Sequence, residues 1–412
     1  MEENSAYKNE LAEHFFRHNY AKMVAVLVRY FGLQEVETAE DIVQDTLVEA
    51  MEKWSVQPIP DNPEGWLMTV AKKKTINFLK RRQTFESKVR PKAKLNTLFA
   101  AADQSVEKDS ALRMIFTCCH PSLPVESQIA LALKTLCGLS VSEIANALLT
   151  SESTINKRLY RAKQKFRDGT IIFEFPDHRN LAPRLDAVFT TLYLLFNEGY
   201  YSSHHEKVIR MDLCFEAIRL AKEVLEFYPQ SHPAKALLAL MFFSVARFES
   251  RIDEHGALVI LSEQDRTLWD KALIAEGMEY LYQSTKDDKV SLYHLQAGIA
   301  AEHCLAEDFA STNWASIHRQ YSILEQLQPN VFFAFNKAIA KFFGINREEV
   351  LVDLLALKRE QALQNNCQFY AALGIIQVEM GLSDEARSCF QKALSLTKST
   401  QEKALIEQRM KL

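Results

Sequence analysis

A cluster of cations on one predicted helix offers the clearest chemistry in this sequence. Between Ser153 and Arg167 the chain has no acid and six basic residues: Lys157, Arg158, Arg161, Lys163, Lys165 and Arg167. The apolar residues of the same segment recur at helical spacing: Ile155, Leu159, Ala162 and Phe166. Ser151 or Ser153 can cap the start of the helix, where exposed N–H groups favour anions. The pattern predicts a helix that packs on one side and binds phosphates on the others.

The residues before this helix predict a partner helix and a short turn. The inner face of the partner helix is formed by Val141, Ile144, Ala145 and Leu148. Residues 149–152 then give a turn of the length that joins the two helices of a helix-turn-helix, whose second helix enters the major groove of DNA. The alternative is an ordinary helical hairpin with a solvated charged face.

A second cationic segment follows a proline-containing loop that ends at Pro63. A helix is predicted from near Glu64, and its exposed positions carry Lys72, Lys73, Lys74, Asn77, Lys80, Arg81 and Arg82. Such a run neutralises several phosphates without reading base sequence. Trp66 and Phe78 have rings that can stack on unpaired bases, although aromatic residues at this spacing more often belong to a hydrophobic core.

An acidic helix is predicted ahead of these basic segments. From Glu35 to Glu52 there are seven acids and no base, and Asp41, Asp45 and Glu49 fall one turn apart on one face. The opposite face is predicted to carry Val43, Leu47, Ala50, Met51 and Trp54. The acidic face suits a basic protein partner. The alternative is a face that only aids solubility.

The composition bounds the fold class and the compartment. The 412 residues suffice for two or three domains, and only 11 Gly and 11 Pro predict long helices joined by short loops. Residues 1–170 carry 24 basic and 21 acidic side chains, against 25 and 32 in the remainder, so a nucleic acid would bind the first part. Seven scattered Cys, no secretory segment and no long apolar stretch predict a cytoplasmic protein without a membrane partner.

The chain beyond Pro183 has a different character, with amphipathic helices that lack basic clusters. Spacing predicts four helix pairs: 214–228 with 232–248, 293–307 with 313–327, 331–343 with 348–357, and 369–380 with 384–396. In the last pair, small and apolar residues approximate a tetratricopeptide spacing. This region is therefore predicted to be a helical-repeat platform.

Two other groups of residues invite chemistry but are weak candidates. Cys118, Cys119 and His120 are metal-ligating types, yet adjacent cysteines diverge on a helix and no further ligand pair follows. The polar residues most able to form a site in the extension are Asn197, Glu198, Asp265, Arg266 and Asp270, but in a helical array such residues are expected to cap helices and form ion pairs between repeats. We expect no metal, no cofactor and no catalytic residue.

Three ordered motifs resemble the extracytoplasmic-function sigma factors of bacterial RNA polymerase, in the sigma-70 family. AEDIVQDTLVEAMEKW (39–54) resembles the region 2 helix that docks on core polymerase, and PEGWLMTVAKKKTINFLKRR (63–82) resembles the helix that melts and reads the minus-10 element. LSVSEIANALLTSESTINKRLYRAK (139–163) resembles region 4, which reads the minus-35 element. At Asn77 the chain departs from the Asp that is common in the family, which implies an atypical minus-10 preference.

The rest of the chain resembles the family subgroup that carries a long C-terminal extension with tetratricopeptide-like repeats. The similarity lies in FTCCHPSL (116–123), YLLFNEGYYSS (193–203), LSEQDRTLWDKALIAEG (261–277) and YHLQAGIAAEH (293–303). The resemblance implies an all-α chain with region 2 at 5–85, a linker at 86–108, region 4 at 109–172 and a regulatory helical extension at 181–412.

The resemblance also implies partners and site residues. Core RNA polymerase would bind Asp41, Gln44, Asp45 and Glu49. Minus-10 DNA would bind Trp66, Lys72, Lys73, Lys74, Asn77, Lys80, Arg81 and Arg82. Minus-35 DNA would bind Ser153, Thr154, Asn156, Lys157, Arg158, Arg161 and Lys165. A signalling protein or ligand would bind the extension.

Two other function classes remain open at this point. One is a helix-turn-helix regulator fused to a sensing helical array, which would bind promoters without polymerase and leaves the acidic face unexplained. The other is an enzyme housed in the extension, which predicts a deep polar pocket with perturbed titratable groups.

Overall fold

The computed structural model describes residues 15, 19–85, 104–173, 176, 178–202, 209–254, 257–286, 289–397 and 399–410. Side chains of 82–85, 104–110 and 178–180 lie outside this description. The described residues form helices and connecting loops, with one isolated β-bridge between Ile252 and Leu258 and no strand. The all-α prediction is confirmed.

The chain divides into two compact units. Unit 1 comprises residues 1–203 and 210–224, and unit 2 comprises 204–209 and 225–412. This division falls later than the predicted domain start at 181. The helices of unit 1 are α1 (19–31), α2 (Val36–Val56), α3 (Pro63–Phe85), α4 (Gln104–Cys118), α5 (Val125–Thr135), α6 (Val141–Ala147), α7 (Glu152–Arg167), α8 (His178–Tyr200) and most of α9 (Met211–Phe227).

The helices of unit 2 follow one another with short connections. They are α10 (His232–Val245), α11 (Lys271–Ser284), α12 (Leu292–Leu305), α13 (Trp314–Leu327), α14 (Val331–Gly344), α15 (Arg347–Leu357), α16 (Gln361–Gln364), α17 (Cys367–Glu379), α18 (Ser383–Leu396) and α19 (Thr400–Arg409).

Helix α5 is the centre of the second half of unit 1. Ile129 to Leu133 are all buried, so the helix is covered on every side, and it packs against α4, α6, α7 and α8. Arg184 of α8 donates from Nη1 to the carbonyl oxygen of Phe116 over 2.8 Å, inside the core. Through these contacts α8 forms part of the support for α6 and α7.

Helix pairs build unit 2, mostly as predicted. Packing between α12 and α13, α14 and α15, and α17 and α18 confirms three predicted pairs. The first prediction differs: α10 packs against α11, a helix the sequence analysis did not identify. Gly277 of α11 explains this pairing. A Cβ built on Gly277 would meet Phe243 Cε1 of α10 at 2.8 Å, so only glycine allows the two helices to approach this closely.

The predicted linker at 86–108 is only partly described. Residues 86–103 lie outside the described residues, and α4 begins at Gln104, inside the predicted linker. None of the described helices combines the length and the apolar character needed to cross a bilayer.

Candidate nucleic-acid interface

The predicted recognition helix α7 buries one stripe of apolar side chains. Its four buried residues are Ile155, Leu159, Ala162 and Phe166, as the spacing predicts. They pack towards α5 and α6, which hold the helix from behind. Residues 33–35 and α2 also contact this helix, and its remaining surface is available for a partner.

Side-chain caps define the turn between α6 and α7. Ser140 and Glu143 form a capping box at the start of α6, and Ser151 accepts from the Thr154 N–H at the start of α7. In the turn, Leu149 adopts a φ of 49° with its side chain 75% exposed. A left-handed leucine that gains little packing is a strained residue, which the geometry of the turn imposes.

The residues predicted to read the minus-35 element divide by exposure. Ser153, Asn156, Lys157, Arg161 and Lys165 are exposed, while Thr154 and Arg158 are half-buried. The hydroxyl of Thr154 lies 2.9 Å from Ser151 Oγ, so it belongs to the cap. The structure thus presents one amide and several cations on the outer face of α7, which is the chemistry that binds phosphates and base edges in a major groove.

Helix α3 presents a narrower cationic face than the sequence suggests. Lys73, Asn77, Lys80 and Arg81 are exposed, and Lys72 and Lys74 are half-buried. The side chain of Arg82 lies outside the described residues.

Aromatic residues of region α1–α3 are packed against one another. The ring of Trp66 is half-buried, 5.4 Å from the ring of Trp54, with Lys53 Nζ 5.5 Å from its centroid. Phe78 packs edge-on against Phe31, with ring centroids 6.0 Å apart. Phe78 and Trp66 are both half-buried, and each packs against another aromatic ring.

The acidic helix α2 exposes a mixed acidic and apolar face. Asp41, Gln44 and Asp45 are exposed, and Val48 (53%) and Met51 (60%) continue the same stripe. The prediction that Met51 lies on the inner face is wrong, because the spacing 41, 44, 48, 51 places it on the outer face. This spacing was the signal that could have identified both apolar residues.

Glu49 and Lys74, predicted to bind different partners, bind each other. Lys74 Nζ lies 3.0 Å from Glu49 Oε2 and also donates to the Asp45 carbonyl oxygen over 2.8 Å. Hydrogen bonds from Lys53 and Lys74 lower the pKa of the Glu49 carboxyl. These contacts join α2 and α3 and leave Asp41, Gln44 and Asp45 as the exposed part of the predicted docking set.

A second contact joins α2 to α7 and was not foreseen from the sequence. Lys163 Nζ lies 2.7 Å from Glu40 Oε2, and Arg167 pairs with Glu37. Both cations belong to the basic run between Ser153 and Arg167. Two of its six members thus bind protein within the same unit.

The remaining candidates pack or cap. Cys118 and Cys119 are buried, and burial raises the pKa of Cys119 to about 12, so its thiol is neutral. Among the described residues no three His, Cys, Asp or Glu side chains are grouped to hold a metal ion. Asp265 and Asp270 accept hydrogen bonds from backbone N–H groups at helix starts, which confirms their predicted capping role.

Comparison with known families matches these regions in order. Residues 15–85 match Sigma-70 region 2, and residues 113–166 match Sigma-70, region 4. Residues 184–285, which run from unit 1 into unit 2, match a family of unknown function, DUF6596.

Two curated proteins are similar to the chain. An uncharacterised protein of Rhizobium meliloti (strain 1021) is 33% identical over 396 residues, which cover 94% of this chain and 92% of that protein. The ECF RNA polymerase sigma factor SigE of Mycolicibacterium smegmatis is 30% identical over 134 residues, which cover 32% of this chain and 51% of that protein. The cationic helix α7, the acidic helix α2 with its exposed face and the two sigma-70 regions in this order support one conclusion: the chain carries regions 2 and 4 of a sigma-70 family factor, an RNA polymerase sigma factor.

Proposed function

We propose that the chain is an extracytoplasmic-function sigma factor whose C-terminal helical unit regulates its activity. The observation that carries the first part is the pair of exposed surfaces in unit 1, one acidic and apolar on α2 and one cationic on α7. The first suits a basic protein and the second suits DNA. Since the polymerase makes the phosphodiester bonds, the chain needs no catalytic group of its own.

Core RNA polymerase docks on α2 through Asp41, Gln44 and Asp45. The exposed Val48 and Met51 extend this surface with apolar area that a partner would cover. Charge gives such an interface its steering and register, and the apolar residues supply desolvation energy. Glu49 supports the surface indirectly, because it holds Lys74 of α3 in place.

Promoter DNA contacts α3 and α7. On α3, Lys73, Lys80 and Arg81 hold phosphates of the minus-10 region, and Asn77 and Trp66 lie nearest the melted strand. On α7, Ser153, Asn156, Lys157, Arg158 and Arg161 face the minus-35 duplex, and Lys165 holds a phosphate. Arginine and asparagine side chains can read guanine and adenine edges in the major groove.

A cavity in unit 2 supports the regulatory part of the proposal. It measures about 260 Å³ and has aromatic walls formed by Phe309, Trp314, Tyr321 and Phe343. His303 also lines it, and its Nδ1 is buried without a hydrogen-bond partner among the described residues. Burial, aided by Arg247 and Arg266, lowers the pKa of His303 to about 3, so the ring is neutral at physiological pH. A largely apolar cavity with a few hydrogen-bonding groups, among them Ser262, Asn336 and the neutral His303, suits a small organic ligand.

Transcription with purified core RNA polymerase and a promoter library tests the first part. The full chain should select promoters that share minus-35 and minus-10 elements. Promoter binding that is equally tight without polymerase would instead favour the competing class, a helix-turn-helix regulator fused to a sensing array.

A blocked cavity tests the second part. Ala372→Phe adds a ring inside the cavity, whereas Val378→Phe adds the same ring to an exposed position on the same helix. We expect Ala372→Phe to change promoter output in cells and Val378→Phe to leave it unchanged. Identical output and identical responses to stimuli for both variants and the original chain would contradict regulation through this cavity.

A further inference from the structure

We propose that the aromatic cavity of unit 2 binds a neutral, planar, bicyclic aromatic molecule that carries one hydrogen-bonding group, such as a naphthol. The inference rests on the proposed function, because it names the class of ligand for the cavity through which unit 2 would act. It goes further than that function, since small organic ligands also include aliphatic, charged and purely apolar molecules.

Three helices and one loop form the cavity. Helices α13, α14 and α17 each turn one face towards it, and residues 260–262 line another side. On α14 that face carries Asn336, Ile339, Ala340 and Phe343, at the three- and four-residue spacing of one helix side. The volume of about 260 Å³ corresponds to roughly nine water molecules at about 30 Å³ each. A bicyclic ring system fits such a space, whereas a nucleotide or a long acyl chain is too large.

The aromatic wall of the cavity is preformed. Phe309, Trp314 and Phe343 contact one another, with ring centroids 4.9 to 5.0 Å apart. The indole N–H of Trp314 donates to the carbonyl oxygen of Phe309 over 3.2 Å, so Trp314 offers a ligand only its ring. Rings that are fixed before binding favour a flat aromatic ligand, because stacking needs a defined geometry and little further ordering is required.

His303 supplies a buried polar atom to the lining. Its Nδ1 has no hydrogen-bond partner among the described residues, and its ring packs edge-on against Trp314, with centroids 5.3 Å apart. A buried nitrogen without a partner costs free energy until a ligand group bonds to it. A hydroxyl group satisfies this nitrogen in either tautomer of the ring, because an O–H both donates and accepts.

The charges near His303 favour a neutral ligand. Burial, aided by the positive charges of Arg247 and Arg266, lowers the pKa of His303, and the same charges oppose a bound cation. An anion would find no cationic partner in the wall, because none of the described lining residues is Lys or Arg. The Arg266 guanidinium is already occupied, since it donates to the carbonyl oxygens of His303 and Ala306 over 2.6 and 2.7 Å. A charge buried here without a partner would be costly.

The other polar groups of the lining are more accessible to water. Ser262 and Glu379 are exposed, and Asn336 is half-buried. The Glu379 carboxylate lies 3.8 Å from the guanidinium of Arg347, which offsets its charge. These groups can contact the edge of a ligand but do not select a charged one.

A matched set of probes tests the ligand class on the full chain. 2-Naphthol is bicyclic, aromatic and neutral at pH 7, 2-methylnaphthalene lacks the hydroxyl, and decahydro-2-naphthol lacks the aromatic plane. 2-Naphthoate adds a negative charge and 2-naphthylmethylammonium a positive one. Isothermal titration calorimetry should show 2-naphthol at a single site. We expect the other four probes to bind at least about tenfold more weakly, since each lacks the hydrogen bond or the stacking or carries an unpaired charge.

Variants locate the probe in this cavity. Ala372→Phe fills the cavity and should abolish binding of 2-naphthol, whereas Val378→Phe, at an exposed position of the same helix, should leave it unchanged. His303→Leu should remove the preference for 2-naphthol over 2-methylnaphthalene, and His303→Asn, which keeps a polar atom near the place of Nδ1, should retain part of it. His318→Leu is the control, because this half-buried histidine of α13 lies outside the lining, and it should retain the whole preference.

The outcomes separate the ligand class from the proposed function. No binding of 2-naphthol, equally tight binding of any other probe, or unchanged binding by Ala372→Phe would overturn the inference. If His303→Leu does not fold, the probe series on the original chain and His303→Asn still decides. Binding is measured without polymerase, so a chain that binds 2-naphthol but does not transcribe with core RNA polymerase would contradict the proposed function alone.

Discussion

Arg210 pairs with Glu143, and this ion pair ties the helix-turn-helix to the segment that follows it. Arg210 lies just before α9, and Glu143 is the third residue of α6, where its carboxylate also accepts the Ser140 N–H over 2.6 Å. Both side chains are largely buried, at 9% and 15% exposure. The residue that caps the first helix of the DNA-binding motif is thus also anchored from the family segment at 184–285.

Loss of this pair should destabilise region 4. We expect Arg210→Ala to lower the free energy of unfolding of unit 1 by about 3 kcal/mol, because it leaves a largely buried carboxylate without its cation. Lys53→Ala is the control, since it removes a more exposed partner of Glu49 and should cost about 0.5 kcal/mol. Urea unfolding followed by circular dichroism measures both, and equal losses would contradict the role of burial.

The same pair predicts a pH dependence of stability. Burial raises the pKa of Glu143, but hydrogen bonds from Ser140 together with Arg210 outweigh it, so the pKa in the folded chain is below the ordinary 4.5. The carboxylate therefore stabilises the fold fully above pH about 4.5, and this contribution is lost as the pH falls through the lowered value. The free energy of unfolding of Glu143→Gln should be lower than that of the original chain at pH 7. The two free energies should become equal in acid. A constant difference down to pH 3 would contradict the assignment.

Charge reversal on α2 should block polymerase binding. Asp45→Arg places a cation in the middle of the exposed acidic face and is expected to weaken binding of core RNA polymerase at least about 30-fold, roughly 2 kcal/mol. Asp61→Arg makes the same charge change on an exposed residue away from that face and should bind normally. Pull-down at moderate salt distinguishes them. Unchanged binding of Asp45→Arg would remove the docking assignment.

Arg158 and Lys165 should differ in how they affect promoter choice. Arg158→Ala is expected to weaken minus-35-dependent transcription by about 1–3 kcal/mol and to relax base preference, since a bidentate contact to a base is lost. Lys165→Ala should weaken transcription from all promoter sequences by the same factor, because a phosphate contact carries no base information. A library of minus-35 variants measures both, and identical losses on every promoter would show that Arg158 reads no base.

Replacement of the strained turn residue Leu149 should increase the stability of region 4. Leu149→Gly is expected to stabilise region 4 by about 0.5–1 kcal/mol, because relief of the left-handed conformation exceeds the entropy cost of glycine. Leu148→Gly is the control, since Leu148 has a φ of −96° and is half-buried, so glycine there should destabilise. Thermal unfolding decides between them. A lower midpoint for Leu149→Gly would mean that its side chain packs in solution.

The sequence predicted most helices and caps correctly, because each depends on residues within a few positions of one another. The buried stripe of α7 follows from a spacing of 3.6 residues per turn, and the cap at Ser151 follows from the unsatisfied N–H groups of a helix start. The same spacing placed most helices of unit 2. It failed for α11, whose pairing with α10 depends on Gly277 lying against Phe243.

Exposure of side chains was less predictable than helix position. The apolar side chain of Met51 suggested an inward position, but its spacing from Asp41 and Val48 places it on the outer face of α2, where it is 60% exposed. Likewise, charge composition marked Lys74 and Glu49 as binding residues, but their mutual contact depends on the packing of two separate helices.

The sequence by itself determined the all-α class, the order of the acidic and basic helices and the side of α7 that must be buried, because each depends on residues within a few turns of one another. Only the tertiary structure decided that Lys163 and Arg167 meet Glu40 and Glu37, and that Arg210 meets Glu143. These partners are 67 to 130 residues apart in the chain. A run of like charge shows that partners are needed, but which partners it finds is set by the packing that brings distant helices together.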